Sequence, residues 1–198
     1  MSQFQLVVAT NNMHKMGELR ALFNGYPITL LSLKDLSLEI DVEETGTTFA
    51  ENALIKAQAV AALTKLPVIA DDSGLEIKAF DGFPGIYSAR FMAGHAYLEK
   101  DYAIIERLKP FKDRTAQFHC VIALLNVKKK PVFFEGITLG HIDDQPRGEH
   151  GFGYDPIFVS DELKISFGLA SEDDKNAVSH RGKATKKLID YLKSEKLI

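Results

Sequence analysis

The stretch "VIADDSGLEI", Val68–Ile77, decides how the chain is read. Val68 to Ala70 is a run of strand formers, and Asp71, Asp72, Ser73 and Gly74 follow at once. In α/β sheets, ligands gather at strand ends. The polar group therefore reads in two ways: as a tight Asp-Ser-Gly turn, or as hard oxygen donors for a Mg²⁺ that bridges substrate phosphates. Neighbouring residues on a strand point to opposite sides, so one aspartate of the pair faces any given pocket.

Outward from this stretch, strands and helices alternate. Phe4 to Ala9 is β-rich, "TNNMHK" is a polar turn, and Met16, Leu19, Leu22 and Phe23 recur at helical spacing. "YPITLLSL" reads as a second strand and "KDLSLEIDVEETGTT" as an acidic loop. A long helix is predicted from Phe49 to Lys65, with Thr48 and Glu51 as a capping box and Phe49, Ala53, Ala57 and Val60 as its buried stripe. "AYLEKDYAIIERLKPF" is helical up to Pro110. "AQFHCVIALLNV" and "PVFFEGITLGHI" read as paired antiparallel strands, and "PRGEHGFGYDPIF" as a glycine-rich loop entering a strand. A short helix and a longer one close the chain. The pattern predicts an α/β fold with a mixed sheet.

Composition narrows the function classes. A chain of 198 residues suits one domain, with room for two lobes around a cleft. A net charge of -3 argues against a nucleic-acid backbone binder. The single cysteine, Cys120, excludes an intrachain disulfide and suits a reducing cytoplasm. No apolar run reaches transmembrane length, so a soluble, cytoplasmic protein is expected.

Polar residues at element ends supply the candidate chemistry. Thr10, Asn11, Asn12 and Lys15 lie between the first strand and first helix, where free N–H groups and a lysine favour phosphate. The same residues also read as an ordinary cap with a surface lysine. Glu43 and Glu44 lie in the acidic loop, and Asn52 and Lys56 share a helix face. Phe152 and Tyr154 sit among glycines in "GFGYDP", as loop anchors or as a flat face for a base. Lys175, His180 and Arg181 read as a clamp for phosphate or base, or as a solvated basic turn. His119 and Cys120 lack the spacing of a zinc site.

"VVATNNMHK", "EETGTTFAENALIKA", "VIADDSGLEI", "GFPGIYSARF", "GFGYDPIF" and "SHRGKA" occur in that order. This series resembles the inosine triphosphate pyrophosphatase family, in particular its bacterial branch, which removes non-standard purine nucleotides. The resemblance spans nearly the whole chain, from Phe4 to Tyr191. It implies an elongated mixed sheet flanked by helices, two lobes with a central active-site cleft, a single pyrophosphatase domain over residues 1–198, and a homodimer. It also implies Mg²⁺-dependent hydrolysis of ITP, dITP and XTP to the nucleoside monophosphate and pyrophosphate, with Mn²⁺ as the alternative metal.

Carried onto this sequence, Thr10, Asn11, Asn12, Met13, His14 and Lys15 would hold the triphosphate, and Lys56 would neutralise phosphate charge. Asp72 would bind metal and orient or deprotonate the attacking water, with Glu44 or Glu43 completing the metal site. Ser73 would touch substrate. Phe152, Gly153, Tyr154 and Asp155 would wall the base, while Lys175, His180 and Arg181 would read the purine. Many relatives have glycine at or beside Asn12; asparagine tolerates positive φ, so the turn is expected to survive. Two rivals remain: another phosphate-ester or nucleotide hydrolase on a related fold, such as a pyrophosphatase for modified pyrimidine or 7-methylguanosine triphosphates, and a nonenzymatic nucleotide-binding module that has kept the cleft.

Overall fold

The computed structural model describes residues 3–198. Its strands are β1 (Phe4–Val8), β2 (Ile28–Ser32), β3 (Val68–Ile77), β4 (Thr115–Leu125), β5 (Val132–Ile142) and β6 (Phe158–Ser160). Its helices are α1 (Met13–Leu22), α2 (Phe49–Ala61), α3 (Tyr97–Leu108), α4 (Glu172–Val178) and α5 (His180–Ser194). The strand order is β2-β1-β3-β4-β5-β6. β1 runs parallel to β2 and β3, and β5 runs antiparallel to β6, so the sheet is mixed and the α/β class is as expected. Among the described residues, no helix is long and apolar enough to cross a membrane.

The chain divides into two compact units. The first runs to Asp72 and adds Cys120–Gly136 and Ala184–Ile198; the second comprises Ser73–His119 and Ile137–Lys183. β3, β4 and β5 each contribute residues to both.

In the first unit the period of two along each strand divides the core. Leu6 and Val8 join Met16, Leu19, Ile69, Ile122, Leu188 and Leu192 in one apolar cluster. Val7 and Ala9 join Ala53, Ala57, Val60, Val68 and Ala70 in another. Strands buried on both faces need nearly continuous apolar sequence, which is why "LVVA" and "VIA" contain no polar residue. Thr48 caps α2 through a complete capping box with Glu51, and small Ala53 and Ala57 let the helix pack closely. The helix ends at Ala61, four residues short of the predicted Lys65, because Thr64 and Leu66 turn the chain toward Pro67.

The second unit has its own core of Leu75, Ile77, Ile104, Leu108, Phe118, Ile142, Ile157, Phe158 and Phe167. The Phe118 ring lies 4.6 Å from Phe158, and Phe158 lies 5.2 Å from Phe167. Lys175 of α4 lies over the Phe167 ring, and His180 at the start of α5 stacks on Phe118.

The largest departure from expectation is in β3. The strand does not end at Ala70 but continues through Asp71, Asp72, Ser73 and Gly74 to Ile77. The Asp-Ser-Gly turn does not form. Both aspartates are buried, at 4% and 5% exposure, inside an extended strand.

Candidate active site

Within the first unit, two aspartates, a glutamate and two lysines converge. Asn12 caps α1: its Oδ1 accepts from the N–H groups of His14 and Lys15 at 2.9 and 3.2 Å. Asn12 has φ −82°, so this turn requires no left-handed residue, contrary to the conformation considered for it. Thr10 Oγ1 accepts from Asn12 N at 3.1 Å, and Asn11 Nδ2 donates to Ile40 O at 2.8 Å. Met13 and His14 are exposed. Lys15, in the first turn of α1, places Nζ 3.0 Å from Asp71 Oδ2.

Asp72 points to the other side of the strand. Its Oδ1 lies 2.9 Å from Lys56 Nζ, and its Oδ2 accepts from Asn52 Nδ2 at 3.3 Å. Lys56 Nζ also contacts Glu44 Oε1 at 2.6 Å. Asn52 and Lys56 reach the same carboxylate because they are one helical turn apart on α2. Glu44 is thus the loop glutamate drawn into the group, whereas Glu43 is exposed.

Burial raises the Asp72 carboxyl above its ordinary pKa, although Lys56 and Lys15 pull in the opposite direction. A carboxylate so placed is a stronger base than a free aspartate. Burial alone would lower the Lys56 ammonium, but Asp72, Asp71 and Glu44 outweigh it and hold Lys56 protonated. Three carboxylates and two ammoniums leave this group one negative charge in excess.

That excess bears on a metal. Glu44 and Asp72 already present two hard oxygens to a single cationic point, Lys56 Nζ. Mg²⁺ characteristically takes one or two carboxylates and fills its remaining positions with water and substrate phosphates. The donor set fits such an ion. Among the described residues, no group of three or more His, Cys, Asp or Glu side chains is placed to hold a metal ion, so protein donors would number two.

The second unit carries the remaining candidates. Arg181 opens α5 and is 1% exposed; its Nη2 donates to Ser73 Oγ at 2.8 Å. Its guanidinium carbon lies 5.8 Å from the Phe152 ring centroid, and Lys175 Nζ lies 5.2 Å from the same ring. Two cations thus flank one half-buried aromatic ring. Asp155 Oδ2 accepts from Phe152 N at 2.7 Å and from Lys175 Nζ at 2.6 Å, which closes the loop around Gly153 at φ +65°. His180 lies flat against Phe118, with ring centroids 4.7 Å apart and planes 13° from parallel. The solvated basic turn left open by sequence does not form, since Lys175, His180 and Arg181 are all buried.

Comparison with known proteins supplies the family. The model of the Ham1 family matches residues 6–191. The chain belongs to the Ham1 family. It is 47% identical to the dITP/XTP pyrophosphatase of Geobacter sulfurreducens over 191 residues, covering 95% of this chain and 96% of that one. It is 46% identical to the dITP/XTP pyrophosphatase of Bacillus cereus, covering 94% of each. The Staphylococcus aureus Ham1 protein superposes with a TM-score of 0.86 at 39% identity, over 96% of this chain and 99% of that one. A HAM1 protein from Coxiella burnetii superposes with a TM-score of 0.87 at 38% identity and the same coverage.

Within this Ham1-family fold, Asn52, which the sequence places on the helix face of Lys56 without assigning it a role, joins the site. The residue is fully buried, and it accepts from Gly46 N at 2.8 Å while donating to Asp72. The spacing to Lys56 was its signal in the sequence. Ser88 lies within the quoted block "GFPGIYSARF" without an assigned role, and Asp101, also a buried polar residue of the second unit, gave no signal in the sequence.

Proposed function

We propose that this chain is a nucleoside triphosphate pyrophosphatase that hydrolyses dITP, ITP and XTP to the nucleoside monophosphate and pyrophosphate, removing non-standard purines from the nucleotide pool. Family membership and the dITP/XTP pyrophosphatases among its relatives support the reaction class. The observation that carries the reading onto this chain is the arrangement of Asp72 between Lys56 and Asn52, with Glu44 on the same lysine.

Each group has a role in that reaction. The α1 N-terminus, with Thr10, Asn11, Asn12 and Lys15, receives phosphate oxygens through backbone N–H groups and one ammonium. Lys56 offsets charge on the phosphates. Asp72 orients the attacking water and accepts its proton, and Asn52 fixes the carboxylate plane for that task. Glu44 and Asp72 would hold Mg²⁺, which would supply charge neutralisation at the phosphates and a lowered pKa of water. Attack on a phosphoanhydride depends on positioning and electrostatics rather than on a covalent nucleophile, so no Ser-His-Asp arrangement is required.

Within the second unit, the Phe152 ring stacks the base, and Ser73 contacts substrate while holding Arg181. Inosine and xanthosine carry an acceptor at position 6 where adenosine carries a donor. The donors of Arg181, Lys175 and His180 therefore favour 6-oxo purines. Guanosine is also a 6-oxo purine, so its rejection requires pocket shape or an unpaired polar group to penalise its 2-amino group. The homodimer expected from the family resemblance is checked by sedimentation equilibrium.

The test is pyrophosphate release from dITP, ITP, XTP, GTP and ATP with Mg²⁺. Turnover of the first three at least about a hundredfold above GTP and ATP supports the assignment. Equal turnover of all five sinks the base selectivity, and binding without turnover favours the nonenzymatic module.

A further inference from the structure

The block "GFPGIYSARF" has no role in the reaction as described so far, yet it is tied to two elements of the site. Ser88, within it, is buried. Its Oγ donates to Gly85 O at 2.6 Å and accepts from Leu75 N at 2.9 Å, so its side chain fastens this loop to β3 two residues beyond Ser73. The contact is close. A Cβ on Gly74 would lie 2.2 Å from Gly85 O and 2.5 Å from Ser88 Oγ, so only glycine admits the loop at that distance.

The backbone of Ser88 makes a further bond. Its carbonyl accepts from the Tyr154 hydroxyl at 3.0 Å. Tyr154 follows Phe152 and Gly153 in the base-holding loop and is 4% exposed. A tyrosine whose hydroxyl is committed to a buried carbonyl cannot offer that hydroxyl to a base. Burial, reinforced by Asp101, pushes the phenol above its ordinary pKa, so it remains a donor throughout the neutral range.

We propose that Ser88 is a positioning residue: its side chain pins its own carbonyl to β3, and that carbonyl latches Tyr154, so that the Phe152 ring is held at a fixed offset from Ser73 and Arg181. This rests on the base-stacking role given to Phe152 above. It assigns Tyr154 to the latch rather than to the wall of the base pocket. The loop keeps other fastenings: Asp155 Oδ2 receives Phe152 N and Lys175 Nζ, and Asp155 O accepts from Gly168 N at 3.0 Å. Removing the Tyr154 hydroxyl therefore loosens the loop without releasing it.

The experiment compares wild type, Tyr154→Phe, Ser88→Ala and the double variant by dITP kinetics and by amide hydrogen exchange of the unliganded protein. Each single variant is expected to raise KM for dITP about tenfold, the effect of one buried hydrogen bond, with kcat within about twofold. Exchange should rise in residues 151–157 and stay unchanged in α2. The double variant should be no worse than the more affected single, because both act through one latch. Unchanged exchange in residues 151–157 in Tyr154→Phe overturns the proposal, as does a loss confined to kcat. Tyr154→Phe, which removes one oxygen, decides the matter if Ser88→Ala does not fold. If wild type releases no pyrophosphate from dITP, the enzymatic assignment fails, and the exchange result still decides the latch.

Discussion

Asp71 and Asp72 are consecutive in β3, yet each carboxylate meets a different ammonium: Asp71 reaches Lys15 at 3.0 Å and Asp72 reaches Lys56 at 2.9 Å. The alternation of a strand produces this division. One aspartate ties β3 to the first turn of α1, and the other joins Asn52, Lys56 and Glu44 on the opposite side. Adjacent, chemically identical residues thus acquire different duties, and substitution should separate them. Asp71→Asn should cost stability, about 2 kcal/mol for a partly screened buried pair, while kcat falls by less than about tenfold. Urea unfolding and steady-state kinetics on the same preparation check this. A kcat loss as deep as that of Asp72→Asn would show that Asp71 takes part in the chemistry.

The two loop glutamates differ in the same manner. Glu44 shares Lys56 with Asp72, and Glu43 is exposed. Titration of activity with Mg²⁺ should show the half-saturating concentration rising at least about tenfold in Glu44→Gln and changing less than twofold in Glu43→Gln. The reverse order would transfer the metal to Glu43.

Gly74 stands where β3 and the Gly85–Ser88 segment nearly touch. A methyl group there collides with the backbone oxygen of Gly85, which cannot swing aside as a side-chain tip can. Gly74→Ala should therefore destabilise the protein by about 3 kcal/mol, at the upper end for overpacking. Chemical denaturation measures it, and a loss below about 0.5 kcal/mol would mean the two segments separate at little cost.

Asp101, buried in α3, has its carboxyl raised to about 8 by desolvation and by the nearby Asp155. Between the ordinary value of 3.8 and about 8, the unfolded chain ionises this group while the folded chain keeps it protonated. The group's contribution to stability therefore falls as pH rises through that window and levels off above it. Asp101→Asn cannot ionise, so its Tm should exceed that of wild type by more at pH 8 than at pH 5. An equal difference at the two pH values would show that Asp101 is ionised in the folded state.

Much of the fold was legible because burial writes itself into sequence. Runs such as Leu6–Ala9 and Val68–Ala70 are buried on both faces, and of the buried α2 stripe Ala53, Ala57 and Val60 join a core cluster. The second half of β3 was not legible. Asp, Ser and Gly are poor strand formers, and local preference ends the strand at Ala70. Tertiary partners override that preference: Lys15 and Lys56 compensate the aspartates, and the Gly85–Ser88 segment requires glycine at position 74. The basic cluster was ambiguous in a similar way. Lys175, His180 and Arg181 look like a surface turn in sequence, and only Phe118, Phe152 and Asp155, distant in the chain, reveal them as buried. The order of the family blocks carried what local pattern could not, because those blocks retain residues whose partners lie far away.

The central claim is that Asp72 performs the water chemistry of a pyrophosphatase. The direct measurement is pyrophosphate release from dITP with Mg²⁺ by Asp72→Asn beside wild type, with dITP binding to both followed by calorimetry. Asparagine keeps the shape and the bond to Lys56 but cannot take a proton. The account predicts a loss of at least about a thousandfold in kcat with dITP still bound. Retention of more than about a tenth of wild-type kcat would contradict it and move the base to another group.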